Sequence, residues 1–363
     1  SGNNLSVNNN ISTLRGNITS ANNITAQFNI YANSSIFSAN DMRANNNITT
    51  IYGYIKSGAN LISTLDVLSD RNIQAVSNIT TTRGNIISAS NIQASSNIIA
   101  NFDIIANSNL IARRNIISSN DIIANSNIIA NSNIIAQSNI IANSNLIAMN
   151  DIIATSNIIS YSNVISLINI QANSNIIANL NIQANSNIIA RSNVIAMIDV
   201  IATSNLIANS NIIARSNIIA MNDVIATSNL IARSNVISIG NLISSNDIRA
   251  NSNIIALNQI IAFNEIRALN QIRVSSNIIG NSNLIITSNI NANLNIQAGS
   301  NITATFNIIA GNNLIATSNV IAQSNLIAMN DLIVNNQLNV GSNISTSSNI
   351  IAGSNIIAGV NVI

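Results

Sequence analysis

The sequence predicts an all-β fold, a single-chain parallel β-solenoid of six-residue repeats. From Asn85 to Asn361 the same six-residue pattern recurs in 47 consecutive copies. The chain contains no Pro, which would remove donors from a hydrogen-bonded ladder, and it is rich in the strand-favouring residues Ile and Val. Six is a multiple of the two-residue period of a strand and not of 3.6, so a strand keeps each repeat position on one face and a helix does not.

We label the positions of one repeat a to f, as in the six residues of Asn127–Ser132. Slot a is Asn in 36 of the 47 copies, slot b is always Ile, Leu or Val, and slot d is mostly Ala, Ser or Gly. Strand alternation predicts that f, b and d face the core while a, c and e face outward. Slot e accepts Gly and Asn, so we expect a corner there with a left-handed backbone.

The repeat divides the chain into an irregular N-terminal region, residues 1–84, and a regular region, residues 85–363. In the first region the phase shifts by single residues, as between Asn10 and Asn17. We expect these insertions at corners, because an insertion within a strand would turn every later side chain to the other face. A triangular coil of three repeats is preferred, and a two-sided coil of two repeats is the alternative.

Residues 85–363 resemble the left-handed parallel β-helices. In that family's hexapeptide pattern an aliphatic residue is followed four positions later by a small one, as Ile128 is by Ser132. Asn131 falls where the family often turns a corner. Ile129 departs from the family's preference for Gly, Ala, Glu or Asp directly after the aliphatic residue. The resemblance implies a β-solenoid and leaves its handedness open.

Slot c is Ile in 36 of the 47 copies, and the others are polar. A position that accepts Arg and Gln is not a sealed interior, and contiguous exposed apolar residues usually mark an interface. We therefore predict that the outer faces pack against further copies of the chain, giving a homo-oligomer or filament. The interface candidates are Ile129, Ile135, Ile141, Ile147, Ile153, Ile213, Ile219 and Ile225.

Slot-a asparagines are expected to stack into hydrogen-bonded ladders along the solenoid, as in cross-β assemblies. The ladder candidates are Asn127, Asn133, Asn139 and Asn145. A repeated hydrogen-bonding surface for ice or sugar is the alternative. The acidic residues that replace Asn in this slot lack calcium-loop spacing and are expected to be tolerated substitutions.

Two polar groups lie outside this pattern. Arg249, Arg267 and Arg273 occupy slot c and form either a basic stripe for an anionic glycan or phosphate, or solvated charges. Tyr52, Tyr54 and Lys56 fall at an irregular step, which indicates a loop or corner and suggests a sugar-stacking role.

Slot c in the N-terminal region is often Thr, which suits contact with water: Thr19, Thr25, Thr49 and Thr80.

Composition argues against catalysis. The chain has no Cys and no His, so we expect no imidazole base, thiol nucleophile, catalytic residue, metal site or cofactor. The 13 basic and 11 acidic residues form no basic run for nucleic acid. Asn interrupts every apolar stretch, so no membrane span is expected.

The leading hypothesis is a non-catalytic structural fibre or surface appendage. In composition the repeats resemble fibre and spike proteins of large DNA viruses and phages and surface repeats of low-GC bacteria. That resemblance implies an extracellular, cell-surface or virion-surface location. The alternatives are an ice-binding protein that uses a flat solenoid face, and an adhesin that contacts glycans or a host surface.

Overall fold

The computed structural model describes residues 4–363, which form 59 three-residue strands and no helix. The chain divides into two compact units, residues 1–184 and 185–363, and each is a parallel β-solenoid. Each strand consists of slots b, c and d, while slots e, f and a link it to the next strand. Because each unit has three sheets, we name their outward faces 1A, 1B and 1C and 2A, 2B and 2C.

In the first unit each face has ten strands. Face 1A comprises β1 (Leu5–Val7), β4 (Ile24–Ala26), β7 (Met42–Ala44), β10 (Leu61–Ser63), β13 (Ile79–Thr81), β16 (Ile98–Ala100), β19 (Ile116–Ser118), β22 (Ile134–Ala136), β25 (Ile152–Ala154) and β28 (Ile170–Ala172). Face 1B comprises β2 (Ile11–Thr13), β5 (Ile30–Ala32), β8 (Ile48–Thr50), β11 (Val67–Ser69), β14 (Ile86–Ser88), β17 (Ile104–Ala106), β20 (Ile122–Ala124), β23 (Ile140–Ala142), β26 (Ile158–Ser160) and β29 (Ile176–Ala178). Face 1C comprises β3 (Ile18–Ser20), β6 (Ile36–Ser38), β9 (Ile55–Ser57), β12 (Ile73–Ala75), β15 (Ile92–Ala94), β18 (Leu110–Ala112), β21 (Ile128–Ala130), β24 (Leu146–Ala148), β27 (Val164–Ser166) and β30 (Ile182–Ala184).

The second unit repeats this arrangement. Face 2A comprises β31 (Ile188–Ala190), β34 (Leu206–Ala208), β37 (Val224–Ala226), β40 (Leu242–Ser244), β43 (Ile260–Ala262), β46 (Ile278–Gly280), β49 (Ile296–Ala298), β52 (Leu314–Ala316), β55 (Leu332–Val334) and β58 (Ile350–Ala352). Face 2B comprises β32 (Val194–Ala196), β35 (Ile212–Ala214), β38 (Leu230–Ala232), β41 (Ile248–Ala250), β44 (Ile266–Ala268), β47 (Leu284–Ile286), β50 (Ile302–Ala304), β53 (Val320–Ala322), β56 (Leu338–Val340) and β59 (Ile356–Ala358). Face 2C comprises β33 (Val200–Ala202), β36 (Ile218–Ala220), β39 (Val236–Ser238), β42 (Ile254–Ala256), β45 (Ile272–Val274), β48 (Ile290–Ala292), β51 (Ile308–Ala310), β54 (Leu326–Ala328) and β57 (Ile344–Thr346).

The strand register confirms the triangular coil. Within each unit, strands pair in parallel with the strand three positions later, so Ile116 lies beside Ile134 and Ile134 beside Ile152. One coil of the regular region therefore contains three repeats. The alternative, a two-sided coil of two repeats, is wrong, because it would pair each strand with the second one after it.

The core confirms the inward orientation of slots b and d. Ile128 and Ile134 are 0% exposed and Ala130 is 1% exposed. Slot f does not join them, contrary to prediction, and Ser132 is only partly buried. The chain bends at slots e and f, so strand alternation does not extend through the corner and the polar slot-f side chain stays near the surface.

The corners also differ from the prediction at slot e. No non-glycine residue in the part of the chain that the structure describes has a positive φ, and the only such glycine is Gly16 at +103°. The expected left-handed backbone at slot e is therefore wrong. Since each corner turns through ordinary backbone conformations, slot e accepts side chains as different as Arg, Met and Phe.

The single-residue insertions lie in corners, as predicted. The links at residues 14–17, 51–54 and 82–85 each have one residue more than the regular link. Each contains a glycine directly before slot a, and the reason is clear at Gly53: a Cβ atom there would lie 2.4 Å from the carbonyl carbon of Ser34 in the preceding coil. The extra residue is therefore absorbed between strands, and the register of the core continues.

Neighbouring residues of β22 provide a test of this burial pattern. Ile134→Ala leaves a cavity in a closed core and is expected to destabilise the fold by about 2–5 kcal/mol. Ile135→Ala, one residue later in slot c, should cost less than about 1 kcal/mol. Hydrogen exchange of the β22 amides measures the local loss of stability in each variant. A local measurement is needed because a repeat protein need not unfold in one step. Equal losses of protection in the two variants would contradict the assignment of the two faces.

Candidate functional site

The hydrogen bonds between coils leave one backbone donor in each repeat without a carbonyl partner. The slot-b N–H of Ile128 donates to the carbonyl of Asn145 in the next coil at 2.9 Å, and the slot-e N–H of Asn131 donates to Ala112 in the preceding coil at 3.2 Å. The slot-a N–H bonds instead to a side chain, as Asn145 does to Oδ1 of Asn127 at 3.1 Å. Because an unpaired buried N–H is costly, slot a requires a side-chain acceptor.

The predicted asparagine ladders are present. Nδ2 of Asn145 donates to Oδ1 of Asn127 at 3.2 Å, and Nδ2 of Asn163 donates to Oδ1 of Asn145 at 3.0 Å. Asn127 and Asn145 therefore follow each other in one ladder. Asn133 and Asn139 belong to two other ladders, where their N–H groups donate to Asn115 at 3.1 Å and to Asp121 at 2.8 Å.

Asp replaces Asn in slot a without loss of the backbone acceptor. Oδ1 of Asp121 accepts both the N–H of Asn139 at 2.8 Å and its Nδ2 at 3.0 Å. Partial burial raises the pKa of Asp121, but hydrogen bonds from the Asn139 N–H, the Ser138 hydroxyl and the Asn139 amide outweigh burial, so this pKa lies below its ordinary value. The Ser348 hydroxyl and the Asn349 N–H likewise lower the pKa of Asp331.

Longer side chains interrupt the ladder. Within residues 4–363, neither the N–H of Asn277 nor that of Asn289 donates to the slot-a residue of the preceding coil, which is Gln259 and Gln271 respectively. Nδ2 of Asn277 donates to Ser276 and Nδ2 of Asn289 to Ser288, both at 3.2 Å. The extra methylene of Gln moves its amide away from the position that serves the next coil.

Slot-c isoleucines form partly exposed rows on every face of both units. The longest row in the first unit lies on face 1B, where each residue is in register with the next. It consists of Leu68, Ile87, Ile105, Ile123, Ile141, Ile159 and Ile177. Among the other interface candidates, Ile135 and Ile153 are neighbours on face 1A, and Ile129 and Ile147 are neighbours on face 1C.

A larger apolar surface lies in the second unit. Three successive corners between faces 2C and 2A carry apolar slot-e side chains, and Met221, Ile239 and Leu257 are 52%, 47% and 53% exposed. Partly exposed isoleucines flank this corner on both faces. We call all nine residues the corner patch: Met221, Ile239 and Leu257; Ile219, Ile237 and Ile255 on face 2C; and Ile225, Ile243 and Ile261 on face 2A. Ile213, the remaining interface candidate, lies on face 2B.

The three arginines do not share one face. Arg249 and Arg267 are in register on face 2B, whereas Arg273 lies on face 2C between Ile255 and Asn291. Arg249 bonds to Asp247 at 3.0 Å, and its Nε lies 3.7 Å from Glu265. These ion pairs hold the Arg249 side chain. The three arginines therefore comprise one neighbouring pair on face 2B and a separate residue on face 2C, and they do not form a continuous stripe.

The N-terminal polar residues are divided between a corner and a strand. Tyr52 lies in the corner at residues 51–54 and is 71% exposed, and Tyr54 follows in slot a, 45% exposed. Lys56 lies in β9 and not in a loop, with Nζ 5.9 Å from the ring centroid of Phe37. The pattern of the sequence did not reveal that Gln74 and Gln93 follow Lys56 on the same face, because that depends on the coil length.

Neither a membrane-spanning helix nor a metal-binding cluster is found in the described residues, and the chain matches no known family. In the described part of the chain, no helix is long and apolar enough to cross a membrane, and no three His, Cys, Asp or Glu side chains gather to hold a metal ion. No model of a known protein family matches the chain, and no curated protein and no solved structure matches it. The outward surfaces of the solenoid are therefore the features that bear on function.

Substitution of Asn127 tests the role of the ladder. Asn127→Leu removes the acceptor for the Asn145 N–H and is expected to destabilise the surrounding coils by about 1–3 kcal/mol. Asn127→Asp keeps the acceptor and should cost less. Hydrogen exchange of the Asn145 amide measures the difference. Equal exchange in the two variants would show that the side-chain acceptor is not what protects this amide.

The lowered pKa of Asp121 predicts a loss of stability in acid. A carboxyl with a depressed pKa in the fold contributes stability above its unfolded pKa, about 4, and this contribution disappears as the pH falls through the folded value. The melting temperature of the wild type should therefore fall more between about pH 6 and pH 3 than that of Asp121→Asn, which does not titrate. Thermal unfolding followed by circular dichroism measures both, and an identical acid response would refute the prediction.

Proposed function

We propose that the protein is a non-catalytic structural component that self-associates into a fibre or surface appendage through its isoleucine-rich outer faces. The observation that carries this proposal is the corner patch, in which nine neighbouring apolar side chains reach the surface of three successive coils. Soluble monomers rarely expose a contiguous apolar patch of more than about 300–600 Å². Covering such a patch removes apolar surface from water and favours association.

A second copy of the chain is the partner that fits this surface best. Neighbouring strands lie about 4.8 Å apart, so slot-c rows on two copies have the same spacing and can interdigitate along their whole length. No slot-c or slot-e residue of the corner patch is charged, so the patch has no feature that selects a charged partner.

The apolar surface also continues beyond the corner patch. The row on face 2A extends through Ile189, Ile207 and Ile279, so a second copy can contact aliphatic side chains over six successive coils. Several aliphatic rows on one chain then permit growth beyond a dimer, since contacts on different faces need not close a ring.

Polar substitution of the corner patch tests the proposal. We expect the purified chain to form elongated assemblies, and Met221→Asn, Ile239→Asn and Leu257→Asn together to shift the onset of assembly to at least about tenfold higher protein concentration. Slot e already accepts Asn at Asn131 and Asn209, so the triple variant should fold normally. Sedimentation velocity and negative-stain microscopy measure the assemblies.

A matched variant removes three exposed apolar side chains that are not stacked on other apolar slot-e side chains. The three positions are exposed slot-e residues, and the slot-e residues one coil before and after each of them are polar or Gly: Phe263, Leu269 and Met329. Changing all three to Asn should leave assembly nearly unchanged. A wild-type chain that stays monomeric and compact at every concentration would disprove self-association. If both triple variants weakened assembly equally, general hydrophobicity rather than the corner patch would be responsible.

A further inference from the structure

Face 1C carries a polar groove in the first unit. Lys56, Gln74 and Gln93 occupy slot c of β9, β12 and β15 in direct register, and they break the pattern of isoleucine rows. A parallel row of slot-a residues runs beside them, beginning with Tyr54 and Asn72. Between the two rows lie two adjoining depressions of about 230 and 210 Å³, which share Asn72 and Gln74 in their walls.

The side chains of Tyr54 and of the three slot-c residues of this groove form no hydrogen bond that holds the fold in the described part of the chain. Within residues 4–363, the side-chain amides of Gln74 and Gln93, the Lys56 ammonium and the Tyr54 hydroxyl form no hydrogen bond or ion pair. The slot-a asparagines beside them differ, because Oδ1 of Asn72 accepts both the N–H and Nδ2 of Asn91, at 3.1 and 3.2 Å. The groove therefore combines an ordered ladder on one side with unused donors and acceptors on the other.

We propose that this groove binds a linear oligosaccharide. A planar amide offers a donor pair and an acceptor side by side, so Gln74 and Gln93 can each bond neighbouring hydroxyls of a sugar ring. Tyr54 is half-exposed at one end and supplies an aromatic face with a polar tip, which suits a ring that is apolar on its faces and polar at its edges.

The dimensions of the groove agree with an extended ligand. Its lining residues span four coils from Tyr54 to Ile111, which is about 14 Å at about 4.8 Å per coil. The distance of about 4.8 Å between neighbouring coils is similar to the length of one sugar ring. Successive rings of a linear oligosaccharide can therefore contact successive coils. The two central coils repeat the same chemistry, with Asn72 and Asn91 on one side and Gln74 and Gln93 on the other.

Other ligand classes fit the groove less well. Lys56 is its only cation, and its ammonium lies 5.9 Å from the Phe37 ring centroid, so the groove lacks the several basic groups that bind a phosphate backbone. The slot-c side chains are polar along three coils, so they form no apolar pocket for a peptide side chain. The single ammonium at one end permits a carboxylate-bearing sugar as well as a neutral one.

Isothermal titration of the full chain with soluble linear oligosaccharides tests the proposal. The probes are neutral cello- and chito-oligosaccharides and acidic oligogalacturonides. We expect saturable binding of at least one of these series at micromolar to millimolar concentration. Gln74→Ile with Gln93→Ile should weaken that binding at least about tenfold, because the sugar hydroxyls lose their partners. Tyr54→Asn, which restores the usual slot-a residue, should weaken it as well.

Matched substitutions outside the groove complete the experiment. Gln171 and Gln183 are also slot-c glutamines, in β28 and β30, and Gln171→Ile with Gln183→Ile should bind as the wild type does. Because Ile is the commonest slot-c residue, neither pair of substitutions should disturb the fold. Absence of saturable binding by all three series, or equal binding by both double variants, would overturn the proposal and leave the test of self-association unaffected.

Discussion

The stacking of the coils depends on one recurring hydrogen bond, which most slot-a N–H groups donate to the side-chain oxygen of slot a in the preceding coil. The slot-a carbonyls accept the slot-b N–H groups and the slot-d carbonyls accept the slot-e N–H groups, whereas the slot-a N–H is bonded to a side chain. Each buried N–H left without this bond would cost about 1–3 kcal/mol, so the fold can lose the bond at a few repeats but not at most of them. The side chain must therefore supply an acceptor of fixed reach, and Asn does so while its amide donates to the same ladder.

The exceptions in slot a follow from this requirement. Asp121 supplies the same oxygen at the same reach and loses only a donor. Ser35 also serves, since its Oγ accepts the N–H of Tyr54 at 3.2 Å. Gln259 also has a side-chain amide, but its side chain is one methylene longer. Within the residues described, its amide oxygen does not accept the N–H of Asn277. Asn, Asp and Ser can therefore all supply the acceptor in slot a, whereas Gln259 and Gln271 do not supply it to the next coil.

The sequence was sufficient to predict the strands, the core and the ladders, because these depend on positions within one repeat. The burial of Ile134 in slot b and the partial exposure of Ile135 in slot c, for example, follow from strand alternation alone and do not depend on the coil size. Two other features depend on which repeats lie side by side, and only the coil of three repeats determines them. One is the grouping of Met221 with Ile239, and the other is the grouping of Gln74 with Gln93. The backbone at slot e was predicted wrongly because Gly and Asn are common in left-handed turns, whereas this corner bends without one.

A ladder that satisfies the backbone internally leaves the outward slots free to vary. Slots c and e contribute little to the core, so a substitution there changes the surface while the fold remains nearly constant. Stacking multiplies the effect of each choice, since residues one coil apart in the chain become neighbours about 4.8 Å apart. Three apolar slot-e residues at that interval form the centre of the corner patch, and three polar slot-c residues form one side of the groove on face 1C. Two surfaces of opposite chemistry can therefore arise on one scaffold from a few substitutions, provided that their spacing equals the length of the coil.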